Sequence, residues 1–220
     1  MSEWWTYSLS DFLMFSSRSY YRLIALYNEA LWPAHLLAIA AGAVVIGCIA
    51  VAQPKTYRIA ALILAISWAW VAWAYHLERY ADINTAGPYF AAAFALQALL
   101  LSFAALRPRA TPPARAKQLV ALWFAAVAVV AYPLLALAND GGWTHAEVFG
   151  IAPDPTVVTT LAVLLAWRAH WHLWLIPVAW CAASGAILME LRVGFAWLLP
   201  AAAIFAVAAG LFSRRSKQAP

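Results

Sequence analysis

Charge is scarce in this chain. Only 10% of its 220 residues are Asp, Glu, Lys or Arg, against about 25% in an ordinary soluble domain. Hydrophobic residues make up 66%, more apolar surface than a soluble globule of this size can cover. Cysteine is scarce too. Cys48 and Cys181 both lie in apolar runs, and no CxxC or CxxCH occurs, so a redox dithiol and c-type haem attachment have no support. No lysine falls inside an apolar run, since Lys55, Lys117 and Lys217 all lie between or after them. A retinal Schiff base therefore has no attachment point. GxxxxGK and GxSxG are absent, which removes the P-loop NTPase and serine-hydrolase readings. The net charge of +5 does not point to nucleic acid, because basic residues on a membrane protein mark its cytoplasmic loops. Residues 1–10 lack a basic n-region, and no cleaved signal peptide is expected.

What is present is a series of long apolar runs: 31–52, 58–76, 88–106, 118–138, 155–168, 171–189 and 194–212. About 20 apolar residues cross a hydrocarbon core of ~30 Å. The runs are continuous, not alternating, which excludes a porin-type barrel. The expected fold class is all-α, a polytopic membrane helix bundle of seven transmembrane helices preceded by an interfacial amphipathic helix. The expected segments are an outer-face segment 1–30, a transmembrane domain 31–212 and a cytoplasmic tail 213–220. The run 155–168 is short enough for a re-entrant segment. It counts as a crossing because its loss would put Arg214, Arg215 and Lys217 on the wrong side.

With seven crossings, 10 of the 14 basic residues share one side: Lys55, Arg58, Arg107, Arg109, Arg115, Lys117, Arg168, Arg214, Arg215 and Lys217. The positive-inside rule makes that side cytoplasmic, with the N-terminus outside and the C-terminus inside. All nine acids fall on the other side, as do His35, His76 and His145. Polar chemistry is concentrated at the outer face.

Residues 10–30 form a separate element. Ser10-Asp11 and Ser16-Ser17 are helix-start signals. Tyr20, Leu23, Ile24, Tyr27 and Leu31 follow helical spacing, with Arg18, Arg22 and Glu29 on another face. This predicts an amphipathic helix in the outer interface, anchored by Trp4, Trp5, Phe12 and Phe15, acting either as an anchor or as a lid. Pro133, Pro177 and Pro200 are expected to interrupt their helices. Small-residue pairs such as Ala38 and Gly42, or Ala182 and Ala186, let helices approach closely.

Two groups of residues carry candidate chemistry. His35 and His76 fall near the outer ends of consecutive runs, with Glu29, Glu78 and Asp82 close in sequence. Imidazole plus carboxylate suits a divalent metal, and ordinary interfacial polarity is the alternative. In the loop 139–155, Asn139-Asp140-Gly141-Gly142 reads as a helix stop and turn. Asp154-Pro155 reads as an N-cap followed by the first helical residue. His145 and Glu147 have no such structural role and are candidate ligand-binding residues. His170 and His172 read as interfacial.

The N-terminal run Trp4-Trp5-Thr6-Tyr7-Ser8-Leu9-Ser10-Asp11-Phe12-Leu13-Met14-Phe15-Ser16, with Tyr20, Arg22-Leu23, Tyr27-Asn28 and Trp32-Pro33-Ala34, resembles a bacterial multi-pass membrane family of unknown function. Ala74-Tyr75-His76 and Pro153-Asp154-Pro155-Thr156 are similar to it as well. The resemblance implies an inner-membrane setting and no mechanism. The expected function is binding, and with it transport, of a cation or small polar solute at an outer acidic and histidine-containing site. The alternatives are an intramembrane metal-dependent enzyme and a non-catalytic membrane subunit. The cofactor is open, with a divalent metal as candidate. The expected partners are the lipid bilayer and, through the small-residue stripes, a second copy or another membrane protein.

Overall fold

The structure is a computed structural model that describes residues 15–106, 113–138, 142–167 and 169–215. Among these residues there are eight α-helices and no strand. They are α1 Ser17–Leu31, α2 Ala34–Val51, α3 Pro54–Trp70, α4 Gly87–Leu106, α5 Arg115–Ala126, α6 Pro153–Ala166, α7 His172–Glu190 and α8 Leu198–Arg215. Helix α3 continues as a π-helix over Val71–Leu77, and α5 continues as a π-helix over Val127–Ala131 and a 3-10 helix over Tyr132–Ala138. Five helical segments are long and apolar enough to cross a membrane, with Pro153–Ala166 and Leu198–Leu211 as shorter apolar helices.

Contacts between α2 and α3, α3 and α4, α4 and α7, α7 and α8, and α5 and α2 arrange six helices around α6, which touches α3, α5, α7 and α8. Phe124 of α5 stacks on Phe205 of α8 at 5.5 Å across the remaining seam. The run that looked weakest as a crossing is thus the hub of the bundle. All fourteen residues of α6 are buried. Its length, about 21 Å at 1.5 Å per residue, falls short of the ~30 Å a lipid-facing helix needs. A helix enclosed by protein escapes that requirement, because non-helical backbone at its ends can be satisfied inside the fold. Thr156, Thr159 and Thr160 donate their hydroxyls to the carbonyls of Ala152, Pro155 and Thr156 at 2.7, 2.7 and 2.8 Å. Such i−4 bonding satisfies hydroxyls in an apolar core. Thr160 also accepts from Trp68 Nε1 at 2.8 Å.

The basic end of the bundle is tied by side chains that cap helix C-termini, where carbonyls lack partners. Arg58 Nε donates to the Ala105 carbonyl at 3.1 Å. Gln118 Nε2 donates to the carbonyls of Ile49 and Ala50 at 3.0 and 2.7 Å. Helix α1 lies over the loop 142–152, which carries Glu147, while Glu78 and Asp82 are exposed.

Helix α1 starts where expected, with Ser16 Oγ accepting from the Ser19 amide at 3.2 Å. Its apolar face is not laid against lipid, however: Tyr20, Leu23, Ile24 and Tyr27 are buried in the bundle core. Phe15, expected as a membrane anchor, packs edge-on against Tyr80 at 5.7 Å. Ser10, Asp11, Trp4, Trp5 and Phe12 lie outside the described residues.

The three prolines behave differently from one another. Pro133 does break its helix, within the 3-10 segment Tyr132–Ala138. Pro177 sits inside a continuous α7. Pro200 does not interrupt α8, because it lies in that helix's first turn, where an amide has no partner to lose. It is also the residue against which α7 closes: a Cβ on Gly185 would lie 2.4 Å from Pro200 Cγ. Gly42 makes a similar approach, 2.7 Å from Val129 Cγ1, whereas a Cβ on Gly47 would meet nothing within 4 Å.

Candidate functional site

The loop from Gly142 to Ala152 brings the chain from the 3-10 turn Gly142–His145 down to the start of α6, with Gly150 at φ 78° reversing its direction. Thr156 Oγ1 accepts from the Gly150 amide at 2.8 Å and fixes that turn. The helix begins earlier than its Asp-Pro signal suggested. Ala152 is the N-cap, Pro153 and Pro155 occupy the first turn, and Asp154 lies within it. Asp154 therefore does not cap the helix.

Its carboxylate is instead the centre of a buried hydrogen-bond cluster. Tyr132 Oη donates to Oδ2 at 3.0 Å, Trp180 Nε1 donates to Oδ1 at 2.8 Å, and Ser184 Oγ lies 2.9 and 3.0 Å from Oδ1 and Oδ2. Asp154 is 1% exposed. A carboxylate at that depth needs such donors, since an unpaired one would be heavily penalised.

Glu147 lies in the loop above. Tyr20 of α1 donates to its Oε1 at 3.4 Å. Its Oε2 is sealed from solvent and has no hydrogen-bond partner. Burial, and then the nearby Asp154 carboxylate, push the Glu147 carboxyl well above the usual range. Burial first, and then Glu147, likewise raise the Tyr20 phenol. His145 stacks on Tyr21 with centroids 5.0 Å apart, and partial burial lowers its imidazole.

Helix α1 closes the site from above. Asn28 Nδ2 donates to the carbonyls of Thr144 and Ala146 at 2.8 and 2.9 Å, and Tyr27 Oη donates to the Ile151 carbonyl at 3.2 Å. Side chains of one helix thus satisfy three carbonyls of an irregular loop that has no helix to pair them.

His76 joins the same layer from the π-helix. It is fully buried, and both ring nitrogens lack hydrogen-bond partners. Rings of Phe94, Trp180 and Tyr75 surround it at 4.5, 4.9 and 5.1 Å. The Trp180 ring links it to Asp154. Both π-helices, Val71–Leu77 and Val127–Ala131, therefore flank this layer, and such turns are frequent at functional sites.

The metal constellation is not gathered. His35 Nε2 lies 3.2 Å from Asn28 Oδ1, so it supports the α1 clasp, while His76 is enclosed by aromatic rings. Glu29, Glu78 and Asp82 are exposed. No three His, Cys, Asp or Glu side chains among the described residues form a group able to hold a metal ion. Spacing put the two imidazoles at similar depth, but α1 intervenes on one and the bundle core claims the other. His170 and His172 stack on each other at 5.6 Å. Asn139, Asp140 and Gly141 lie outside the described residues.

Fold and site together define an all-helical protein with several helices able to span a membrane, a buried carboxylate at Asp154 and a partly buried one at Glu147 beneath a covering helix. Residues 17–219 match the model of DUF6064, a family of unknown function, and the chain belongs to that family. No curated protein and no solved structure matches the chain.

Proposed function

We propose that this is an integral inner-membrane protein that crosses the bilayer seven times, N-terminus outside, and binds a small cation at the Glu147–Asp154 layer. One observation carries this reading. Glu147 Oε2 is buried with no partner, beside a second buried carboxylate, and the groups acting on Glu147 are burial, Asp154 and Tyr20, none of them positive. A carboxyl acted on by a second, fully buried one and lacking a basic partner favours either a bound proton or a cation. Burial and the Asp154 carboxylate favour the protonated form of Glu147 over the charged one, and a bound cation takes the proton's place.

Binding is better supported than passage across the bilayer. Beneath Asp154 the threonine hydroxyls of α6 are all satisfied internally, and the core around them is packed. A metal-dependent enzyme would need three or four converging ligands, which the described residues do not supply. One of the small residues that would serve a subunit interface, Gly42, is already used within the chain.

The test is thermal stability of the purified protein with sodium, potassium, choline or zinc chloride, or with a neutral polyol at matched osmolality. A ligand that binds only the folded state raises the melting temperature. A monovalent or organic cation should do so in the wild type and not in Glu147→Gln. Stabilisation by the polyol alone, or an equal cation response in Glu147→Gln, contradicts the reading.

A further inference from the structure

Glu147 offers a cation one free carboxylate oxygen and little else that a bare ion could bind. Its Oε1 accepts from Tyr20, and its Oε2 is sealed with no partner. The oxygens around it are largely occupied. In the loop, the carbonyls of Trp143, Thr144, Ala146, Val148 and Ile151 already accept hydrogen bonds. Both oxygens of Asp154 are taken by Tyr132, Trp180 and Ser184. A dehydrated hard cation needs a shell of about six oxygens or more, and the described residues leave Glu147 short of one.

What the layer does offer is acceptors for N–H groups. Tyr20 donates its proton to Glu147, so its own oxygen is left to accept. Tyr75 stands close enough for the Glu147 charge to act on its hydroxyl. His76, the next residue, is fully buried with no partner at either nitrogen, and a neutral imidazole has one bare nitrogen. The rest of the surroundings is aromatic: Phe15 stacks on Tyr20 at 6.3 Å, and Tyr80 on Tyr75 at 5.7 Å. Aromatic rings attract an ammonium, and its three N–H donors need only three acceptors, not a complete shell. A charge-assisted N–H bond to a carboxylate is among the strongest that such a site can make.

We propose that the cation bound at Glu147 is a small ammonium with at least three N–H donors, either the ammonium ion itself or a short primary amine. It donates to Glu147 Oε2 and to the Tyr20 hydroxyl oxygen. The proposal rests on the cation-binding reading of this site and narrows it to ions that carry N–H groups. Sodium and potassium find no oxygen shell here, and a quaternary ammonium has no N–H for Oε2.

The test uses the full-length protein in detergent micelles with the chlorides of ammonium, methylammonium, tetramethylammonium, sodium and potassium at equal ionic strength. Ammonium and methylammonium should raise the melting temperature by about 3 °C or more at about ten times their dissociation constants. The other three should not, and Glu147→Gln should lose the response. A wild-type measurement covers the case in which that variant does not fold. With glutamate isotope-labelled at its side-chain carboxyl, infrared difference spectra should show a protonated glutamate band that disappears on adding methylammonium and stays on adding sodium. Sodium, potassium or tetramethylammonium stabilising as well as methylammonium, with the response lost in Glu147→Gln, would overturn the ammonium assignment and leave the cation reading standing. No stabilisation by any of the five, or an unchanged methylammonium response in Glu147→Gln, would overturn both. A protonated band that persists while methylammonium stabilises the protein would place the ligand away from Glu147 and overturn the proposal.

Discussion

Asp154 accepts from three side chains that approach from two other helices, at sequence separations of 22, 26 and 30 residues. Removing the acceptor leaves three buried donors unpaired, each costing about 1–3 kcal/mol. Asp154→Ala should therefore destabilise the protein by about 3 kcal/mol or more, whereas Tyr132→Phe, which removes one bond and keeps the ring, should cost about 1 kcal/mol. Equilibrium unfolding in mixed micelles measures both, and equal losses would contradict the central place given to Asp154. Glu147 makes a different prediction. Its folded-state carboxyl is raised, so the folded protein holds a proton that the unfolded chain gives up near pH 4.3, roughly the ordinary value. That stabilisation is complete below the unfolded value and is lost as pH rises toward the folded one. The melting temperature should fall with pH across that window in the wild type and be flatter in Glu147→Gln. Parallel curves would mean that Glu147 is not buried as described.

Much of each element could be read from composition alone, because the length and continuity of an apolar run are local properties. The predicted runs 88–106 and 171–189 lie within one residue of helices Gly87–Leu106 and His172–Glu190. What could not be read is which helix sits in the middle. Centrality depends on neighbours, and the short run with three threonines looked like the weakest crossing when it is the most buried. The site was partly legible. Glu147 stood out as a loop acid without a turn role, and it lies in the cluster. Asp154 was hidden by a local signal, since Asp-Pro at a helix start has a sufficient explanation in capping. Tyr132, Trp180 and Ser184 carried no signal of their own. At this scale the glycines give a sharp test. Gly185→Ala would place a methyl against the Pro200 ring and should cost about 1–3 kcal/mol through overpacking. Gly47→Ala meets open space and should be neutral or stabilising, because alanine is the better helix former. Similar melting temperatures for the two variants would show that α7 and α8 do not close as described.

As a whole molecule, the sequence puts all nine acids on one side of seven proposed crossings and 10 of the 14 basic residues on the other. The proposed topology follows from that polarity, and it sets the side from which a cation arrives. A reporter active only in the cytoplasm, fused after Pro220, should be active. Activity of a periplasm-only reporter at the same point would put the Glu147 layer on the opposite side. The helix that covers this layer is held by polar bonds from Tyr20, Tyr27 and Asn28 to the loop below. A route to Glu147 past α1 therefore costs those bonds.

The most direct measurement of the central claim is titration calorimetry of the stabilising cation in two buffers of different ionisation enthalpy. The difference in apparent heat counts protons released on binding. If the cation replaces the proton held at Glu147, about one proton should leave per cation bound below the raised carboxyl value. Affinity should tighten as pH rises, and Glu147→Gln should show neither effect. Binding with no proton release in the wild type, or the same release in Glu147→Gln, would contradict the account.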